Sequence, residues 1–384
     1  MTDKPHFTIK NRFQKRPDLY ENILTPDILS DVCAKITGTT DYTCAFDNMG
    51  YNKGRMAVLE HKGRVSYVSF SDTESAGRNA SMQSVPSALM SFYEEPRPHK
   101  QIYFYFLPSL GNHETNYFYF MYRMMLTAGI EFLNHGEFLA RPLHPFTTVE
   151  DVIAARNVNR EQNQSNNSSY VTKSSSHTVQ IFGKTYGANK YETTLFCIAF
   201  SKISKNRIEL YQICEQDLKA IPQRCVNVIS KLGNVEIIQT DITMEKNHFE
   251  KDDSLRSPRF TYNLLARLGP KKCLLCGCEM PELVQGAHIW PVAAIKRESG
   301  ICLRQKLQCA TDGNNGLWLC ANHHKMLDDS IIIIDGTGTI RHRANLDKVN
   351  EEYVNWSTPI KRLPPEIMSK SFLSYLDKRY SLLA

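Results

Sequence analysis

Two short pairs of soft metal ligands constrain this chain more than anything else in it. Cys273 and Cys276 stand in "KKCLLCGCE" as a C-x2-C pair, and Cys320 and His323 stand in "LCANHH" as a C-x2-H pair. Three thiolates and one imidazole make the closed, four-ligand tetrahedral set of a structural zinc site. Such a site ties two distant stretches to one point, so the chain between them must leave and return. Gly277, directly after the first pair, suits a tight knuckle turn. Cys278 is an alternative to Cys276, which the knuckle spacing disfavours. Cys302 and Cys309 have no matching partners and read as simple buried thiols.

The rest of the composition agrees with a metal rather than with disulfides. The chain holds 11 cysteines. An odd number without a secretion signal is a poor disulfide framework. The first residues, "MTDKPHFTIKNRFQKRPDLY", are polar and lack an apolar signal core, which predicts a cytoplasmic protein. No apolar run is long enough to predict a membrane span. A length of 384 residues, 42% hydrophobic and 22% charged, predicts two or three globular domains. From Ser254 to Ala384 there are 18 Lys and Arg against 12 Asp and Glu, so the whole formal excess of +6 lies at the cysteine-bearing end. That excess suits a polyanionic partner.

Residues 1–157 read as mixed α/β. "RMAVLEHKGRVSYVSFSD" predicts two strands joined at Lys62-Gly63, and "KQIYFYFLP" predicts another. "HETNYFYFMYRMMLTAGIEFLNH" has helical spacing, and its aromatics read as core rather than as stacking partners for bases. Residues 158–177 are rich in Asn, Ser and Gln and predict a linker or mobile loop. Residues 178–253 resume folded character, with "RIELYQI" and "NVEIIQT" as strands. In "FGKTYGANKYE", a phosphate contact competes with an ordinary strand-to-helix turn; the spacing is not that of a Walker motif. A boundary near residue 253 opens a last domain, 254–384. Asp47, Glu60 and Lys62 imitate a D…E-x-K nuclease triple, a pattern that chance produces easily.

Around the zinc pairs lies a second pattern. "VQGAHIWPV" ends an apolar run at His288, "DGNNGLWL" places Asn315 before Cys320, and His324 follows His323. Successive residues at a helix start point in different directions, so His324 can serve a site other than the zinc. The series C-x2-C, A-H-I-x-P, N-G-L-x-L-C and x2-H-H resembles the HNH endonuclease family over about residues 270–345. That resemblance implies an α+β fold. A C-terminal zinc-stabilised ββα-metal nuclease domain would follow a mixed α/β recognition region. It also implies His288 as general base, Asn315 as the residue that orients the histidine-bearing loop, and His324 as ligand of a catalytic divalent ion. The residue types suit the chemistry, since a neutral histidine takes a proton from water and a cation offsets charge on the phosphate. Magnesium is the expected ion, with manganese or nickel also suited to an imidazole ligand.

In one place the chain departs from the family pattern. Many members carry Asp before the first histidine, and here that residue is Ala287. Asp312 and Asp328 are the substitutes considered, and each reads more simply as a loop cap or a helix-surface charge. The implied function is a site-specific restriction endonuclease on double-stranded DNA. Residues 1–253 would supply specificity through basic stretches such as "KNRFQKR" and "GKTYGANK", and a palindromic target would require a homodimer. An anti-phage or modified-DNA nuclease is the runner-up. Intact His288, Asn315 and His324 argue against a binding-only module.

Overall fold

A computed structural model describes residues 6–382, apart from the segments 12–24, 49–54, 72–77, 108–112, 163–168, 175–176, 185–188, 214–219, 241–245, 247–248 and 251–256. The chain forms two compact units. The first comprises Met1–Ser169, Lys184–Ile208 and Lys219–Glu236, and the second Tyr170–Gly183, Glu209–Leu218 and Ile237–Ala384. These units cut across the segments that composition suggested, because short stretches on both sides of residue 200 belong with the cysteine-bearing end.

The first unit is built on a mixed sheet in the order β1-β2-β3-β4-β5-β6. Its strands are β1 (His6–Asn11), β2 (Thr43–Asn48), β3 (Arg55–His61), β4 (Arg64–Phe70), β5 (Lys100–Tyr105) and β6 (Glu131–Phe132). β2, β3 and β4 pair antiparallel, and the other neighbours pair parallel. Parallel neighbours need a crossover. The helices α1 (Pro26–Thr37), α2 (Arg78–Glu94) and α3 (Asn116–Thr127) provide it. β3 and β4 join at Lys62-Gly63 as expected, with φ of 45° and 73° at the two turn residues. The aromatic helix α3 buries Tyr117, Phe118, Phe120 and Tyr122. Tyr122 meets Phe106 edge to face at 5.1 Å. These rings are core, as the helical spacing implied. Further helices α4 (Val149–Gln162), α5 (Asn189–Ile203) and α6 (Gln223–Ser230) complete the unit.

The polar stretch 158–177 differs from the expected linker. Its start belongs to α4, and Ser169–Lys173 forms a strand, β7, in which four of five residues are buried. Composition counted the asparagines and serines and undervalued "SYVTK". Tyr170 packs edge-on against Tyr262, with centroids 5.2 Å apart. β7 pairs with β8 (Val179–Lys184), then β9 (Ile208–Ile213), then β10 (Val235–Thr240).

Within the second unit α7 (Pro258–Leu268) begins at a Ser257 cap that accepts from Arg259 N and Phe260 N. The antiparallel ribbon of β11 (Val284–His288) and β12 (Gly316–Cys320) follows, with His288 opposite Gly316 and Val284 opposite Cys320. Between the strands run α8 (Val292–Arg297) and α9 (Leu303–Thr311). β12 leads directly into α10 (Ala321–Asp328), then a hairpin of β13 (Ile332–Ile334) and β14 (Ile340–His342). α11 (Lys348–Ser357) and α12 (Lys370–Tyr380) close the unit. α7 lies tight on the ribbon, since a Cβ at Gly316 would sit 2.5 Å from Phe260 Cζ. Among the described residues no helix is long and apolar enough to cross a membrane.

Candidate active site and metal centre

The ligand atoms of Cys273, Cys276, Cys320 and His323 all lie within 4.8 Å of one another. Cys276 Sγ and Cys320 Sγ are 3.8 Å apart, and Cys273 Sγ is 3.5 Å from His323 Nδ1. Zinc–sulfur bonds of about 2.3 Å at tetrahedral angles put two sulfurs about 3.8 Å apart. The donor set therefore fits zinc in both chemistry and spacing. Gly277, at φ 74°, turns the knuckle and donates its N–H to Cys273 O at 2.8 Å. Burial opposes ionisation of Cys273. Hydrogen bonds from His323 and from backbone N–H groups outweigh it and pull the thiol down to about 6. The far nitrogen of His323, Nε2, meets the buried hydroxyl of Thr358 at 3.1 Å. That contact holds the ring with Nδ1 facing the thiolates, the role such outer contacts play at metal sites. Cys278 contributes only its carbonyl, which accepts from Cys273 N, and its thiol is outside the cluster. Cys302 and Cys309 are outside it as well. Cys302 is exposed at the start of α9, not buried as expected, and Cys309 is half-buried.

His288 ends β11, and its ring lies flat on Phe260 of α7, with centroids 3.9 Å apart and planes 11° apart. Nε2 is 2.9 Å from Ala310 O. A carbonyl only accepts, so Nε2 carries the proton and Nδ1 keeps a lone pair. Burial lowers the His288 pKa to about 4, against a smaller upward pull from the Ala310 carbonyl. The imidazole is thus neutral at physiological pH.

Asn315 is fully buried, and its amide is fully engaged. Nδ2 donates to Trp290 O at 3.1 Å and Cys309 O at 3.0 Å, while Oδ1 accepts from Trp290 N at 2.7 Å. It clamps the loop after His288 to the end of α9, one residue from the carbonyl that fixes the His288 tautomer. A half-buried arginine, Arg267, and a buried one, Arg379, add carbonyl staples. Arg267 donates to Gly313 O and Gly316 O at 2.8 and 3.0 Å. Arg379 of α12 donates to Ile289 O at 3.0 Å and to Leu327 O, joining the end of β11 to the end of α10.

His288 and His324 line one cleft of about 430 Å³, together with Asp328, all within the second unit. His324 Nε2 lies 3.4 Å from Asp328 Oδ2, one turn along α10. An imidazole and a carboxylate so placed form a donor pair suited to Mg²⁺ or Mn²⁺. Asp328, which the sequence also allows as a helix-surface charge, keeps its side chain half exposed beside His324. Asp312 behaves as the simpler reading held. Its Oδ1 accepts from Asn314 N at 2.8 Å, and its Oδ2 accepts from Tyr375 Oη at 2.9 Å. Ala287 is fully buried in the core with Leu317 and Leu319.

The D…E-x-K triple is not assembled. Glu60 lies opposite Thr43, four residues along β2 from Asp47, a separation of about 13 Å at ordinary strand rise. Glu60 is instead 3.0 Å from Arg97 Nη1. Most of "KNRFQKR", half of "GKTYGANK" and the boundary near 253 lie outside the described residues.

A β-ribbon running straight into a helix, closed by a Cys3His cluster that could hold zinc and carrying His288 and His324 in one cleft, is the arrangement of a ββα-metal domain. Residues 273–335 match the sequence model of the HNH endonuclease family. The chain therefore carries an HNH endonuclease domain, which implies a DNA substrate. Comparison with curated proteins gave no match.

Proposed function

We propose that this chain is a Mg²⁺-dependent DNA endonuclease that cuts at specific sites, as a restriction enzyme does. The observation that carries the nuclease reading is the fixed tautomer of His288 in a cleft shared with His324 and Asp328. With Nε2–H held by Ala310 O, Nδ1 takes the proton from an attacking water. The lowered pKa keeps that nitrogen unprotonated at neutral pH. Asn315 acts through His288 by fixing the loop behind it. His324 and Asp328 would hold the divalent ion, with Asp328 in place of the aspartate missing at Ala287. A divalent ion held there would offset charge growing on the scissile phosphate and the leaving 3′-oxygen.

Site specificity is a separate inference. A nuclease module of this kind contacts mainly backbone and reads little sequence. A first unit with its own sheet and core supports a recognition role for that part of the chain. Digestion of unmethylated phage DNA with Mg²⁺ tests both points. Discrete bands are expected. A smear would sink site specificity and keep the nuclease. Absence of cutting in both Mg²⁺ and Mn²⁺, on modified as well as unmodified DNA, would sink the nuclease reading.

A further inference from the structure

The cleft has a wall that the family-matched residues do not supply. Gln180, Phe182, Tyr211, Phe260 and Lys271 line it, and all precede residue 273. Phe182 and Tyr211 stack with centroids 4.8 Å and planes 8° apart. Tyr211 Oη and Gln180 Nε2 both donate to Glu209 Oε2, at 2.8 and 3.0 Å, so this wall is held in place by its own hydrogen bonds.

Lys271 is half-buried, and it is the one lysine or arginine among the described residues that line the cleft. Its ammonium donates to Lys173 O at a long 3.5 Å, and among the described residues no carboxylate pairs with it. Its neighbour Lys272 is the contrast, exposed and 2.7 Å from Glu279 Oε1. An ammonium offers three donors, and withdrawing it from water with one weak acceptor is costly. A cation left in that condition, in the same cleft as His288 and His324, is arranged for an anion that arrives from outside.

We propose that Lys271, with the Phe182–Tyr211 wall beside it, is a phosphate-binding subsite that pairs with a backbone phosphate of the bound DNA strand. The identity of the ligand rests on the nuclease reading; the presence of an anion subsite rests on the cleft itself. Lys271 touches no reacting atom and acts by positioning the strand.

The test is the salt dependence of duplex binding, measured by anisotropy on the full chain carrying His288→Ala, so that binding is read without cleavage. Adding Lys271→Gln should weaken binding several-fold and lower the slope of log K against log[NaCl] by about 1. Lys272→Gln should leave the slope unchanged, and Lys271→Arg should restore it. Equal slopes for Lys271→Gln and its parent overturn the proposal. If Lys271→Gln loses zinc, amine acetylation of the unmutated chain decides. A duplex that shields Lys271 supports the subsite, and equal labelling with and without DNA overturns it. A changed slope, with no cutting by the chain that keeps His288, would keep the subsite and sink the nuclease. Cutting with an unchanged slope would do the reverse, and a chain that binds no duplex would sink both.

Discussion

The two units of this chain hold themselves together by different means. In the first, Phe104, Phe106, Phe120 and Tyr122 are almost wholly buried against a six-stranded sheet. Burial of large side chains is sufficient there, at about 1.5–3 kcal/mol for each. The second unit has a ribbon of two five-residue strands and a hairpin of two three-residue strands. Pieces that short are weak by themselves. They share a buried apolar cluster that includes Leu317, Leu319, Leu327, Ile332 and Ile334, and they are cross-linked besides, by the Cys3His cluster, by Asn315 and by the carbonyl staples of Arg267 and Arg379. The lesson is one of precision. Apolar packing fixes a fold but tolerates small shifts, whereas ligand and amide geometry fixes where individual atoms lie, and a cutting site needs the latter.

Substitutions should therefore separate the units. The largest effect is expected from Cys320→Ser. Zinc measured by mass spectrometry should fall from one per chain to none, DNA cutting should vanish, and the first unit should still melt cooperatively. Retained zinc and activity would remove Cys320 from the cluster. The mirror change is Phe104→Ala in the first unit, where the side chain is fully buried. It should cost about 3–5 kcal/mol there and leave zinc at one per chain; loss of zinc would show that the units do not hold separately.

A smaller effect is expected at the proposed ion site. Asp328→Asn should raise the magnesium needed for half-maximal cutting about tenfold, with zinc and melting unchanged. An unaltered magnesium dependence would return Asp328 to the helix surface. The smallest effect near neutrality concerns pH. His288 ordinarily titrates near 6.5 and is pushed down to about 4 by burial. The unfolded chain takes up that proton as pH falls through 6.5, and the folded one does not until about 4. Stability of the second unit is accordingly lost across that window, by about 3 kcal/mol at its foot. The acid limb of the cutting rate should fall closer to 4 than to 6.5. A limb at 6.5 would mean that His288 is solvated.

Much of the second unit was legible in the sequence because its chemistry is local. Cys273 with Cys276, and Cys320 with His323, are close pairs whose spacing states their purpose. His288 ends one strand, Asn315 directly precedes the next and His324 lies on the helix after it, and that order is the order of the ribbon and helix. What the sequence hid is long-range. Nothing in "RIELYQI" says that Tyr211 lines the cleft of a histidine far along the chain. Nothing in "PRFTYNLLARL" says that Phe260 lies flat on His288 because Gly316 leaves room. Arg379 was invisible for the same reason, since its acceptors Ile289 and Leu327 are carbonyls, which every residue has. "SYVTK" was misread because a count of polar residues over 158–177 averaged a buried strand with its surroundings.

The central claim is that His288 supplies the base for phosphodiester cleavage on a frame that zinc holds independently. The most direct measurement compares wild type with His288→Ala on supercoiled plasmid DNA in Mg²⁺, at matched zinc content and matched melting temperature. Cutting is predicted to fall by about 10²–10⁴ in the variant. Equal cutting by both proteins would contradict the claim.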